Sequence, residues 1–160
     1  MSPDNPMYTC CILGHRSIRI TEHLKEKLYD TINHLITEKK VNTFLFGSKS
    51  AFVPLCHEII SRLKEKHPHI KRVYVRAEFP VINDSYKSYL LAYYDHTYYP
   101  NEIANAGRAV YVERNYHMIN NSQYCIIYYN DTDKPLHRKS GTELAFNHAN
   151  KSKKTIILFP

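Results

Sequence analysis

The sequence predicts an α/β protein, a Rossmann-like three-layer α/β/α sandwich built on a mainly parallel sheet of five or six strands. Three observations lead there. Short apolar runs of strand length alternate along the chain with segments whose apolar residues recur at helical spacing. The runs are continuously apolar, the pattern of strands covered on both faces. The first two close on a glycine, Gly14 and Gly47, just before the next helix, as the strand–turn–helix rhythm of a parallel sheet requires.

The elements follow in order. Tyr8–Leu13 reads as the first strand, closed by Gly14. Thr21 opens a helix with Leu24, Leu28, Ile32 and Leu35 on one stripe, ended by Lys39 and Lys40. Asn42–Phe46 is the second strand, closed by Gly47. Ser50 is placed to cap the next helix, and Pro54 is tolerated because it falls in the first turn. Leu55, Ile59, Ile60 and Leu63 form that helix's apolar face, and Pro68 stops it. Ile70–Arg76 is a third strand. Asp84–Tyr94 has helical spacing through Tyr86, Tyr89, Leu90 and Tyr93. A short strand is expected at His96–Tyr99, a helix at Ala109–Asn120 and a strong strand at Gln123–Tyr129. A polar loop, Asn130–Lys139, then leads to a helix at Ser140–Asn150 and a final strand at Lys154–Phe159. The 160 residues contain no internal repeat, low-complexity segment or linker, so one domain spanning 1–160 is expected.

Composition narrows the function classes. Hydrophobic residues are 43% and charged residues 23% of the chain, which excludes wholesale disorder. The longest apolar stretches, Cys125–Tyr129 and Thr155–Phe159, are far below the ~18 residues of a membrane span. Met1–Pro6 lacks the basic and apolar regions of a secretion signal, so a soluble, cytoplasmic protein with no membrane partner is expected. Lys and Arg outnumber Asp and Glu by 22 to 15, a net charge of +7. That balance suits nucleic acid or a phosphate-bearing small ligand. The basic residues are scattered, mostly at helix ends where they complement the dipole, so nucleic acid ranks below a small ligand. Cys10, Cys11, Cys56 and Cys125 form no CxxC pair. Each sits in an apolar run and reads as a small buried hydrophobe, so no metal site is expected. The 14 tyrosines can stack on a base or fill a core.

Open parallel sheets bind ligands at the carboxyl ends of their strands. Three strand-to-helix junctions carry suitable chemistry. After the first strand, Gly14 permits close approach, His15 offers a proton donor or acceptor, and Arg16 offers a planar fork for phosphate. After the second, Gly47, Ser48, Lys49 and Ser50 leave backbone N–H groups to cradle an anion at the helix start, with Lys49 adding charge. This is not a Walker A loop, because the GxxxxGK[ST] pattern is absent. At Ser140, Gly141, Thr142 and Glu143, a capping box coincides with an N–H and hydroxyl anion site. A charged helix triplet, Glu113, Arg114 and Asn115, precedes the Gln123–Tyr129 strand. Such a triplet is ordinarily a solvated face.

In order, the chain thus shows Cys11-Ile12-Leu13-Gly14-His15-Arg16, Phe46-Gly47 with Ser50, Arg114-Asn115-Tyr116-His117-Met118, the strand Tyr124–Tyr129, Ser140-Gly141-Thr142 and Lys154–Leu158. This series resembles the SLOG superfamily, small bacterial Rossmann-like proteins related to the DprA/Smf and Lonely-guy groups, over nearly the whole chain. The resemblance implies a nucleotide or nucleotide-derived ligand, including NAD-derived signalling nucleotides. Gly141 and Thr142 would hold phosphate with help from Gly47 through Ser50. It also implies that Arg114 matches the arginine with which Lonely-guy phosphoribohydrolases cleave the N-glycosidic bond of a nucleoside monophosphate. Where those enzymes carry their glutamate this chain has Ala145, with Glu143 directly after the threonine, and Arg138-Lys139-Ser140 replaces a glycine pair.

The leading expectation is therefore a binding module for a phosphorylated nucleoside, with no cofactor and with homo-oligomers, as relatives commonly pair through helices. The Tyr86–Tyr99 segment is a candidate surface for that pairing, with burial in the monomer as the alternative. The alternative is an N-glycoside hydrolase or phosphoribosyl-type transferase using Arg114 with a carboxylate, Glu143 first and then Glu113 or Glu78. Nucleic-acid binding, by likeness to the DprA branch, comes third.

Overall fold

The computed structural model describes residues 8–130 and 140–160. The expected loop at 131–139, the Arg138-Lys139 pair and the N-terminal segment 1–7 lie outside the described residues. Six strands form one all-parallel sheet in the order β4-β3-β2-β1-β5-β6. They are β1 (Thr9–Gly14), β2 (Thr43–Phe46), β3 (Lys71–Val75), β4 (His96–Tyr98), β5 (Tyr124–Tyr128) and β6 (Thr155–Phe159). Five helices connect them: α1 (Glu22–Thr37), α2 (Phe52–Lys66), α3 (Asp84–Leu91), α4 (Val110–Asn120) and α5 (Gly141–Lys151). The Rossmann-like three-layer sandwich expected from the sequence is the fold observed.

Strand alternation divides the core in two. Cys10, Ile12, Phe44, Phe46, Ile126 and Tyr128 face α1 and α2, meeting Leu28, Ile32, Phe52, Ile60 and Leu63. Cys11, Leu13, Leu45, Cys125 and Ile127 face the other way, against Met118 and Ile119 of α4 and Ala145 and Ala149 of α5. Adjacent Cys10 and Cys11 thus serve opposite layers, as the two-residue period of a strand dictates. All four cysteines are buried and free, and burial pushes the thiols of Cys10, Cys11 and Cys56 well above their ordinary range.

Element ends differ from expectation where side-chain bonds decide them. Thr21 caps α1 and Ser140 caps α5 by accepting the N–H of Leu24 and Glu143, both at 3.0 Å. Ser50, expected as the cap of α2, sits one residue earlier. The cap is Ala51, and the Ser50 hydroxyl accepts the Phe52 N–H at 3.2 Å. The helix expected to run to Tyr94 stops at Leu91. There Tyr94 turns inward onto Phe46, Tyr74 and His57. Asp95 then exchanges backbone and side-chain bonds with Arg72, which start β4 beside β3. Among the described residues, no helix is long and apolar enough to cross a membrane.

Candidate functional site

Chain progression reverses between β1 and β5. Strands β1 to β4 build outward on one side, and β5 and β6 on the other. At such a switch point the loops leaving the carboxyl ends diverge and open a crevice. A cavity of about 1030 Å³ lies there, near the upper end of the ~300–1,000 Å³ of ligand sites. Its wall includes Gly14, His15 and Arg16 after β1, Gly47, Ser48, Lys49 and Ser50 after β2, Arg114 and Asn115 of α4, and Ser140, Gly141 and Thr142 at the start of α5. The structure therefore brings all of the sequence-derived binding positions to one cleft. It does not bring Glu143, which is buried away from the cleft wall on α5. A helical residue directly after Thr142 is rotated about 100° from it, given 3.6 residues per turn.

The glycines have a different purpose from the one expected. Neither Gly14 nor Gly47 has a positive φ. A Cβ at Gly14 would lie 2.8 Å from the Cβ of Phe52, and one at Gly47 would lie 2.7 Å from Cδ of Arg114, 2.9 Å from its Nε and 3.0 Å from Sδ of Met118. Gly14 thus lets α2 close on the sheet, and Gly47 makes room for the Arg114 side chain. Gly141 alone of the three has open space where a side chain would stand.

Arg114 is the central surprise. Sequence reasoning from the triplet alone makes it a solvated charge, yet it is only 4% exposed. Its Nε donates to Oδ1 of Asn115 at 3.1 Å, and its guanidinium lies 5.8 Å from the Tyr111 ring centre. No carboxylate lies within ion-pair distance among the described residues, and its two terminal nitrogens have no hydrogen-bond acceptor there. Burial pulls its pKa below the ordinary guanidinium value, opposed by Tyr74, Tyr111 and Glu78. On the same cleft wall, the hydroxyl of Ser48 is buried without a partner among the described residues. Buried polar groups are normally bonded, and those that are not call for an explanation.

The helix starts differ in what they leave free. At α2 the N–H groups of Ala51, Phe52 and Val53 are taken by Arg16 O, Ser50 Oγ and Ser50 O. The first N–H groups of that helix are thus taken by the protein's own acceptors, which does not bear on the N–H groups of the preceding turn. At α5 the Ser140 cap takes Glu143 and Leu144, leaving the N–H groups of Gly141 and Thr142 with no acceptor among the described residues. His15 is engaged as well. Its Nε2 accepts the Asn130 N–H at 2.9 Å, which puts the ring proton on Nδ1, and its ring packs on Tyr129. Its part is to tie the β1 turn to the end of β5.

Sequence reasoning named Glu78 only as a fallback carboxylate and missed the rest of the β3 side of the cleft, Tyr74, Arg76, Ala77 and Phe79, with Tyr86 and Tyr111 as further wall residues. The junction rule applied to the first two strands finds them when applied to the third. Arg76 is buried, and each of its three nitrogens donates one bond, to Phe79 O, Thr97 Oγ1 and Pro80 O, so it shapes the turn. Glu78 accepts from the Tyr111 hydroxyl and lies 3.8 Å from Lys49 Nζ. The bond to Glu78 raises the Tyr111 phenol pKa. Phe79 meets Tyr86 edge to face at 5.9 Å. Among the described residues no group of three or more His, Cys, Asp or Glu is placed to hold a metal ion. No protein-family model matches the chain, and no curated protein matches it.

Proposed function

We propose that this cleft binds a nucleotide or nucleotide-derived ligand, its phosphate between Arg114, Ser48 and the α5 N-terminus and its base among Tyr74, Phe79, Tyr86 and Tyr111. The observation that carries the reading is Arg114: a buried guanidinium on the wall of a cavity, with no carboxylate at ion-pair distance among the described residues. A charge held out of water is costly unless compensated, and a ligand phosphate supplies the compensation. Two free N–H groups at the start of an eleven-residue helix face the same space and favour an anion for the same reason. The aromatic side chains opposite provide stacking surface.

Thermal unfolding with nucleoside mono-, di- and triphosphates, cyclic nucleotides and ADP-ribose tests this, with native mass spectrometry of freshly purified protein as a search for a retained molecule. A true ligand at a hundredfold excess over its Kd adds about 2.7 kcal/mol, roughly 5–10 °C for a chain of this size. No shift across the panel refutes the reading. Cleavage of a nucleoside monophosphate is the second reading. It is favoured by one observation, that Glu78 puts a carboxylate on the cleft wall where Glu143 does not. Release of free base that is lost in Glu78→Gln supports it, release that survives the substitution removes Glu78 from the role, and no release from wild type removes the reading.

A further inference from the structure

Phosphate binding leaves Glu78 unexplained, because a carboxylate repels the anion that the neighbouring groups attract. It is the one carboxylate lining the cleft among the described residues. Its Oε1 is held by the Tyr111 hydroxyl, with Lys49 Nζ at 3.8 Å, and its Oε2 has no partner among the described residues. Through Tyr111, whose ring is 5.8 Å from the Arg114 guanidinium, it is linked to the anion end of the cleft. Its chain neighbour Phe79, packed edge to face with Tyr86, begins the aromatic end. An ionised carboxylate only accepts hydrogen bonds. Where phosphate and base flank such an acceptor, the donors that meet it are the hydroxyls of the sugar joining them.

We propose that Glu78 reads the ribose of the ligand, accepting hydrogen bonds from its hydroxyls through the free Oε2, so that the site takes ribonucleoside 5′-phosphates and rejects deoxyribose. This rests on the nucleotide reading of the cleft. Lys49 and Tyr111 fix the carboxylate in place before the ligand arrives. The same negative charge excludes sugars that carry a further phosphate on those hydroxyls.

The test is calorimetric titration of the full chain with 5′-AMP, 5′-GMP, 5′-CMP, 5′-UMP and ADP-ribose, then with the 2′-deoxy and 3′-deoxy counterparts of the tightest binder. Loss of one charge-assisted hydrogen bond weakens binding roughly tenfold or more, so at least one deoxy counterpart binds wild type weaker by that factor. Glu78→Ala lowers ribonucleotide affinity similarly and erases the ribo-to-deoxy ratio. Tyr111→Phe, which releases Oε1, reduces the ratio. Equal affinity of wild type for the ribo and deoxy forms overturns the assignment of Glu78 while nucleotide binding stands. A preference for guanine that disappears in Glu78→Ala, without a ribo-to-deoxy difference, overturns it in favour of base recognition. No binding of any of the five overturns the ribonucleoside 5′-phosphate assignment, and the nucleotide reading falls with it when the wider nucleotide panel is silent too.

Discussion

Replacing Gly47 with alanine probes the packing that places Arg114. The added methyl would stand 2.7 Å from Arg114 Cδ, 2.9 Å from Nε and 3.0 Å from Met118 Sδ. Contacts below 3.0 Å must relax, and Met118 is fully buried, so the arginine is the group that moves. Overpacking of this kind costs about 1–3 kcal/mol, which corresponds to a Tm lower by roughly 2–12 °C in a chain of this length. If the cleft binds a nucleotide as proposed, displacement of the guanidinium also removes a charge-assisted hydrogen bond to it, and affinity should fall roughly ten- to a hundredfold. Gly141→Ala is the control. Its Cβ meets nothing within 4 Å and its φ is not positive, so Tm stays level or rises, while the methyl occupies the space where an anion would approach the helix. Gly14→Ala, whose Cβ strikes a backbone-anchored atom of the buried Phe52 at 2.8 Å, loses at least as much stability as Gly47→Ala. Differential scanning fluorimetry and calorimetry on the three variants separate these effects. A Gly47→Ala protein with wild-type Tm and wild-type nucleotide affinity would refute the claim that this turn positions the arginine.

Other variants test the same physics. Arg114→Met keeps the length of the side chain and removes a buried charge, so it should abolish nucleotide binding yet raise Tm by an amount equivalent to roughly 1–2 kcal/mol; a lower Tm counts against an uncompensated charge. Ser48→Ala deletes a hydroxyl with no partner among the described residues, and should leave the free protein as stable or slightly more so while weakening ligand binding in titration. Stability should fall in two stages on acidification, followed as Tm against pH. Burial holds the His57 pKa below its ordinary 6.5, so the folded state disfavours the proton; its contribution is present above 6.5 and lost as pH drops through the lowered value. His148 is lowered in the same direction, also by burial, so His57→Gln reduces this stage without removing it. Burial alone would raise the Asp95 carboxyl, but the hydrogen bonds and charge of Arg72, with Lys64, outweigh it and hold the pKa below 3.8. The stability that Asp95 confers is thus lost below that value, and Asp95→Asn should flatten this second stage.

The fold was legible in the sequence because its causes are local. The continuous apolar run Cys10–Leu13 and the helical spacing from Leu24 to Leu35 depend on neighbours a few residues apart, and each produced the expected element. The position of the cleft was legible too, since parallel strands followed by helices place every strand-to-helix turn on one rim. Errors arose where a distant partner intervened: Tyr94 leaves the helical path for a core formed by Phe46 and Tyr74, and Ser50 yields the cap position to a turn tied to Arg16.

What tertiary structure alone decided is the state of each polar side chain. Nothing local to Glu113-Arg114-Asn115 says that its middle residue is buried against a glycine 67 positions earlier in the chain, or that no carboxylate among the described residues pairs with it. His15 and Asn130 bond across 115 positions, and Glu78 and Tyr111 across 33. Backbone pattern is set by short-range sterics and by the period of apolar residues. Burial, charge pairing and free valence are properties of pairs, and the pairs exist only once the chain has closed.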